Sequence, residues 1–458
     1  MKNTLYQSFW RTHFYAALFI TPLLISLTLS GIGFLFYTNV ENQLYDKYFF
    51  GESGKTEVQS IDDAVKLAEE SYAGYKTNKI IELEEPYNTR LTMKNADGKE
   101  KYVFLDDHNQ IIGGQDAGYT FANIMRNAHS SLFIGGTFVN YLVELAACWA
   151  IFLLLSGIYM TFKGKVLKKT KQTNKRQKSR KFHALVGTII TIPMLVIIFT
   201  GLPWSAFMGK YIYQASQDHP SFGTPLLQQQ PPTSDVSEIP WATRQETPPT
   251  SDSGHEGHAA HHGNGADTVC GTNPYQLSVE KLQHEINAMN ISKPYAIIYP
   301  TSEVGVYTVA KSSNTGVTGL DVSPYDETTM YFDQYSGKYI DKVGYEDYGI
   351  LAKWFTWGIP LHEGHLFGWP NKLINLLVCL AFLVVIIWGV STWLLRKKQG
   401  MLSAPPKISQ KVSIPFIIFM IILGILMPLF GLSLIAVVLV ELIINLVSKN
   451  KLAKKEVN

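Results

Sequence analysis

Four histidines in this sequence, His13, His183, His129 and His362, occur in two matched settings. His13 stands 18 residues before Gly31, and His183 stands 18 residues before Gly201. Each opens an apolar run with a proline in its first half, Pro22 or Pro193, and each follows a basic residue two positions earlier, Arg11 or Lys181. The other two open similar heptapeptides, His129-Ser-Ser-Leu-Phe-Ile-Gly135 and His362-Glu-Gly-His-Leu-Phe-Gly368. Paired imidazoles inside an apolar helical bundle offer neutral nitrogen ligands to the two sides of an iron porphyrin, and the apolar shell sets its potential. The spacing from histidine to glycine spans about 27 Å of helix, so the two pairs are expected near opposite faces of a bilayer. Gly31, Gly157, Gly201 and Gly389 would let a macrocycle approach helix backbones, and Arg11, Arg180, Lys181, Arg126 and Lys353 are placed to meet its propionates. His365 shares a helix face with His362 and is an alternate ligand or a substrate contact; His362 is preferred because it has a counterpart in the first half.

Such ligands need long apolar helices, and the composition supplies them. Of 458 residues, 46% are hydrophobic and 17% charged, the latter against roughly 25% in a typical soluble protein. Phe14–Tyr37, Ala184–Gly209 and Leu373–Leu395 run 24, 26 and 23 residues without a charge, and Leu145–Phe162 adds 18. About 20 apolar residues cross the hydrocarbon core, so a soluble enzyme is excluded. Lys163–Lys181 carries ten Lys/Arg and no Asp or Glu, which the positive-inside rule assigns to the cytoplasm. Nucleic-acid binding is the rival reading of that charge, but a basic loop tethered between spans is a topology signal. Three cysteines give no disulfide framework.

The expected fold is a polytopic α-helical membrane protein with duplicated pairs of spans around a four-helix core. In order it has an N-terminus and span one (1–37), a first outer module (38–136), span two (137–162), a basic cytoplasmic loop (163–183) and span three (184–207). A second outer segment (208–370) combines a linker (228–265) with a folded module (275–345), and span four (371–396) and a C-terminal hydrophobic hairpin (412–447) follow. Pro428 and Gly431 interrupt the last stretch, with a re-entrant loop as its alternative. Each outer module is read as one helix, Ile61–Ser71 or Leu277–Met289, with a few antiparallel strands. The strands are Arg90–Met93, Lys101–Leu105 and Ile111–Ile112 in the first, and Tyr295–Tyr299, Val304–Val309, Met330–Phe332 and Lys338–Ile340 in the second. Ser336-Gly337 is the hairpin turn.

The repeated order, the Arg-x-His or Arg-x-x-His approach to spans one and three, and the His-x-x-x-[FL]-x-G approach to spans two and four resemble the PepSY-associated transmembrane family over about residues 5–396. That family comprises iron-regulated bacterial inner-membrane proteins and includes ferric-siderophore reductases. The resemblance implies haem b, two groups each held by two histidines, with His13, His129, His183 and His362 as ligands. It also implies two extracytoplasmic PepSY modules, cytoplasmic termini, and reduction of Fe(III) in a siderophore. The C-terminal hairpin and the linker lie outside this pattern.

Other residues carry weaker signals. His255, His258, His261 and His262 in the linker form a candidate site for Zn²⁺, Cu²⁺ or Ni²⁺. Glu144, in span two, is expected to snorkel, and Glu441 either carries protons or pairs with another helix. Trp354, Phe355, Trp357 and Trp369 read as an interfacial belt. No GxGxxG or GxxxxGK[ST] is present, so electrons are expected from a quinol or a separate cytoplasmic reductase, with lipid and a ferric chelate as the other partners. Two rivals remain: a metal transport or delivery protein using the histidine-rich linker, and a non-catalytic envelope regulator that binds a protease or another partner.

Overall fold

A computed structural model describes residues 4–168, 174–219, 221–223, 276–302, 305–312, 317–397, 401–406 and 412–456. The linker histidines His255, His258, His261 and His262 lie outside the described residues, as does most of 208–275. In chain order the helices are α1 (Thr4–Leu35), α2 (Tyr37–Leu44), α3 (Asp46–Phe49), α4 (Ile61–Ser71), α5 (Phe121–Ser131), α6 (Thr137–Lys163), α7 (Lys175–Gly201) and α8 (Met208–Asp218). They continue with α9 (Val279–Ala288), α10 (Ile350–Glu363), α11 (Trp369–Leu394), α12 (Ile414–Leu426) and α13 (Pro428–Glu456). Strands β1 (Tyr75–Glu82), β2 (Thr89–Asn95), β3 (Glu100–Leu105) and β4 (Ile111–Asp116) lie between α4 and α5. Strands β5 (Tyr295–Ile298), β6 (Val306–Lys311), β7 (Thr328–Asp333) and β8 (Tyr339–Gly344) lie between α9 and α10.

The chain divides into two compact units. The first holds residues up to 32, 127–212 and from 369 onward; the second holds 33–126 and 213–368. In the first unit α1, α6, α7 and α11 are long and apolar enough to cross a membrane, and α12 and the apolar part of α13 are shorter. Leu24, Ala146, Ala150, Leu154, Ile190, Met194, Val378, Phe382 and Val385 form a core shared by these four helices. Lipid is as apolar as leucine, so close packing rather than water exclusion holds such a core together. Ala146 and Ala150, wholly or almost wholly buried, let the backbones approach. Outward, Leu373, Leu377 and Leu380 stay exposed at helical spacing on α11, a surface suited to lipid.

The C-terminal stretch forms two helices that break at Met427–Pro428, where proline removes an N–H and clashes with the preceding turn. Gly424 and Gly431 touch across the break, and a Cβ on Gly431 would lie 2.8 Å from the Gly424 carbonyl oxygen. Phe430 is fully buried against Trp149 and Phe152 of α6, and the Trp149 indole donates to Ser433 Oγ at 3.1 Å.

In the second unit all the strands join one open antiparallel sheet, in the order β4-β3-β2-β1-β5-β6-β7-β8. The two outer segments therefore share a sheet, closed at its centre by β1 and β5 with Ile80 opposite Ile297. Alternation sends Ile80, Leu91, Met93, Val103 and Leu105 to the same face as Ile297, Val309 and Phe332, where α4 and α9 cover them. A one-residue slip would turn that set to the opposite face. Ser60 and Ser278 cap α4 and α9 through the Asp63 and Lys281 amides. The Asp62 carboxylate also accepts from Val279 N (2.8 Å) and Glu280 N (3.0 Å), tying one helix to the amide-rich start of the other.

Candidate functional site

The site in the first unit begins with His13 on α1 and His183 on α7. Their ring centroids are 6.4 Å apart, with the planes at 89°. Both side chains are part-buried. His183 Nδ1 is 2.8 Å from the Val385 carbonyl of α11. A carbonyl only accepts, so Nδ1 carries the proton and Nε2 keeps its lone pair. His13 Nδ1 is 2.8 Å from Ser156 Oγ on α6, and that hydroxyl also lies 3.2 Å from the Leu153 carbonyl. A metal-ligating histidine is normally oriented this way by the partner of its other nitrogen.

Glycines back these rings. A Cβ on Gly389 of α11 would lie 3.1 Å from His183 Cε1, and one on Gly157 of α6 would lie 3.8 Å from His13 Cε1. The same arrangement recurs further along α1. His129, on the short helix α5, places Nδ1 2.9 Å from the Leu27 carbonyl and 3.1 Å from Ser30 Oγ. Ser30 donates its proton to Ser26 O, so it too accepts from His129. A Cβ on Gly31 would lie 3.3 Å from His129 Cε1. From His13 to Leu27 is about 21 Å of helix rise, so two imidazole levels sit well apart on α1, each with a lone pair on Nε2. Chemically, each level can present neutral nitrogen to a transition metal.

His362 lies on α10 in the second unit. Three residues on, His365 is engaged at both ring nitrogens: Nδ1 is 3.3 Å from Asp321 Oδ1 and Nε2 is 3.0 Å from Glu363 Oε2. Burial alone would lower its pKa, but the hydrogen bonds and charges of Asp321 and Glu363 raise it to about 9. A doubly donating imidazolium has no lone pair for a metal, so the geometry favours His362 over His365 as a ligand.

The basic residues expected near propionates are dispersed. Arg11 donates through Nη1 to the Pro405 carbonyl at 2.7 Å and packs over Tyr15. Arg180 is exposed at the start of α7. Arg126, on α5, acts electrostatically on Glu41. Glu41 of α2 is 2% exposed and accepts from Ala122 N (2.8 Å) and Thr318 Oγ1 (2.6 Å). Burial raises its pKa, while those two hydrogen bonds and the charges of Arg90 and Arg126 oppose the rise.

Glu144 departs from the snorkelling expected of it. It is 2% exposed, and its carboxylate accepts from Phe207 N (2.8 Å) and Met208 N (3.1 Å), capping α8. The orphan amides and positive dipole of a helix start hold a carboxylate that would otherwise seek water. Glu441 is exposed on α13. The Trp357 indole donates to Tyr345 OH at 2.9 Å, and Phe355 is buried, whereas Trp354 and Trp369 are exposed. Ser156, Ser30, Val385 and Leu27 escaped the sequence reading. Backbone carbonyls carry no residue-type signal, and Ser156-Gly157 is marked only by its place opposite His13.

A family model described as PepSY-associated TM region matches residues 10–396. The chain belongs to the PepSY-associated transmembrane family. The match takes in α1, α6, α7 and α11 and both groups of strands, and it ends before α12. Membership places this PepSY-associated protein in the membrane, in keeping with its apolar helices. A comparison with curated proteins finds no match.

Proposed function

We propose that the protein is a haem-b membrane reductase that passes electrons across the bilayer to an extracytoplasmic ferric chelate. The observation that carries this reading is the 6.4 Å separation of the His13 and His183 rings. A metal–nitrogen bond of about 2 Å on each side, with the two imidazole ring radii added, requires about 6 Å between centroids. Gly157 and Gly389 leave the backbone open beside these rings, and His183 holds the tautomer that offers Nε2. When bound, haem b would supply one-electron exchange between Fe(III) and Fe(II); the protein positions it and sets its potential.

In this reading the chain is an internal duplication: span helix, PepSY module, histidine-bearing short helix, span helix, used twice. His13 and His183 hold one group, and His129 supplies a nitrogen to a second nearer the other face. The PepSY modules lie outside the bacterial cytoplasmic membrane and hold the chelate. The Lys/Arg-rich segment between α6 and α7 stays with both termini in the cytoplasm, where a quinol or a separate reductase delivers electrons. Membership of a family that includes ferric-siderophore reductases supports a ferric siderophore as the class of acceptor.

Visible spectra of the detergent-purified full chain, air-oxidised and then dithionite-reduced, test the proposal together with a pyridine haemochrome count. Two b-type haems per chain are expected, with one lost in His13→Ala and one in His129→Ala. Reoxidation of the reduced protein by a ferric chelate then tests the acceptor. A folded, haem-free protein from haem-replete cells overturns the reading. Metal transport without haem would point to a delivery protein, and full activity after loss of all four histidines would point to a regulator.

A further inference from the structure

The sheet face opposite α4 and α9 carries a charge that the protein leaves unanswered. Arg90, on β2, is 4% exposed. Its Nε and Nη2 are buried and have no hydrogen-bond partner among the described residues. The guanidinium stacks on Tyr102 of β3, 4.1 Å from the ring centroid, which leaves its in-plane N–H groups to find an acceptor. Thr92, two residues along the same face and fully buried, also has an unpartnered Oγ1. Their Cα atoms lie about 7 Å apart along the strand.

The nearest anionic candidate does not answer Arg90. Glu41 feels the charge of Arg90, but its carboxylate accepts from Ala122 N and Thr318 Oγ1 and not from Arg90 Nε or Nη2. Burial moves its carboxyl toward the neutral form. The surroundings are rigidly built: Asn123 Nδ2 of α5 bridges Tyr102 OH (3.3 Å) and the Ala117 carbonyl (2.7 Å). Buried guanidinium N–H groups without an acceptor are costly in a folded protein. Its fork of parallel N–H groups matches two coplanar oxygens.

We propose that Arg90 and Thr92, with Tyr102 as the stacking platform, form a buried binding site for a carboxylate group. The carboxylate belongs either to a soluble chelating acid or to a haem propionate. The two share one chemistry; the soluble acid stands whether or not the reductase reading holds, and the propionate rests on it.

The test is thermal unfolding of the full chain in detergent, titrated with citrate at constant ionic strength, with sulfate and phosphate as controls. Citrate is expected to raise the melting temperature saturably. Arg90→Lys, which lacks the fork, is expected to weaken the apparent affinity about ten-fold, and Arg90→Leu to abolish the response. A second arm compares uptake of haem with uptake of its dimethyl ester. Preference for haem in the wild type but not in Arg90→Leu, with no citrate response, assigns the site to a propionate. Equal behaviour of wild type and Arg90→Leu in both arms overturns the proposal. So does a response to phosphate but not citrate. A more heat-resistant Arg90→Leu with neither binding changed also overturns it, since that is how an orphan charge behaves when replaced by an apolar group. Should Arg90→Leu not fold, Thr92→Val carries the test: a several-fold weaker response supports the site and an unchanged one overturns it.

Discussion

Ser156 Oγ lies 2.8 Å from His13 Nδ1, while His183 gives its own Nδ1 proton to the backbone carbonyl of Val385. Of these two partners only the hydroxyl can be deleted without touching the backbone. With Nε2 on the metal, His13 Nδ1 carries the proton that Ser156 accepts, and losing that acceptor makes His13 a weaker electron donor, which favours the reduced state. Ser156→Ala is therefore expected to retain both haems and to raise one midpoint potential by an amount on the order of tens of millivolts. A potentiometric titration followed in the visible band reads it. Two unmoved potentials would show that Ser156 does not act through a haem ligand.

Glycine substitutions rank the cradle. A methyl group at Gly389 would lie 3.1 Å from His183, one at Gly31 3.3 Å from His129, and one at Gly157 3.8 Å from His13. The last is an ordinary contact, and the first two require the ring to give way. Overpacking of this kind costs about 1–3 kcal/mol. Haem content by pyridine haemochrome is expected to fall most in Gly389→Ala, less in Gly31→Ala, and little in Gly157→Ala. The reverse order would disprove this view of the cradle.

His365 gives the protein a pH dependence of defined sign. Its pKa is raised from 6.5 to about 9 by Asp321 and Glu363 against the effect of burial. The folded state then holds a proton that the unfolded state releases, so the stabilisation is complete below about pH 6.5 and is lost as pH rises through about 9. At most it amounts to about 3 kcal/mol, less screening at Asp321, which is 72% exposed. Melting temperatures measured from pH 6 to 10 should fall across this window, and His365→Gln should flatten the fall. A wild-type curve already flat there would contradict the clamp.

Glu144 caps α8 from within a span. Glu144→Ala strands the Phe207 and Met208 amides and is expected to destabilise the protein by about 1–3 kcal/mol. Glu144→Gln keeps one acceptor and should retain part of that stability. Thermal unfolding in detergent distinguishes the two, and an unaltered Ala variant would show the cap to be incidental.

The sequence alone determined the apolar helices, because length and the absence of charge are one-dimensional properties, and it located the break at Pro428, because proline acts on its own backbone. It also placed α4 and α9 and several strands through their apolar periodicity. It missed β1, where Lys76, Lys79 and Glu82 interrupt the pattern; Lys79 and Glu82 are nevertheless buried. It missed α5 and α10 as separate short helices, having read them as approaches to the spans. The pairing of His13 with His183 was an inference from register; the 6.4 Å between their rings belongs to the packing of α1 against α7. Only the tertiary structure joined β1 to β5 in one sheet, because strand pairing is made through backbone groups that every residue shares. For the same reason it alone settled which carbonyl each histidine meets and what caps α8. It alone left Arg90 Nε and Nη2 without a hydrogen-bond partner among the described residues, since a side chain's partners come from segments far away in the chain.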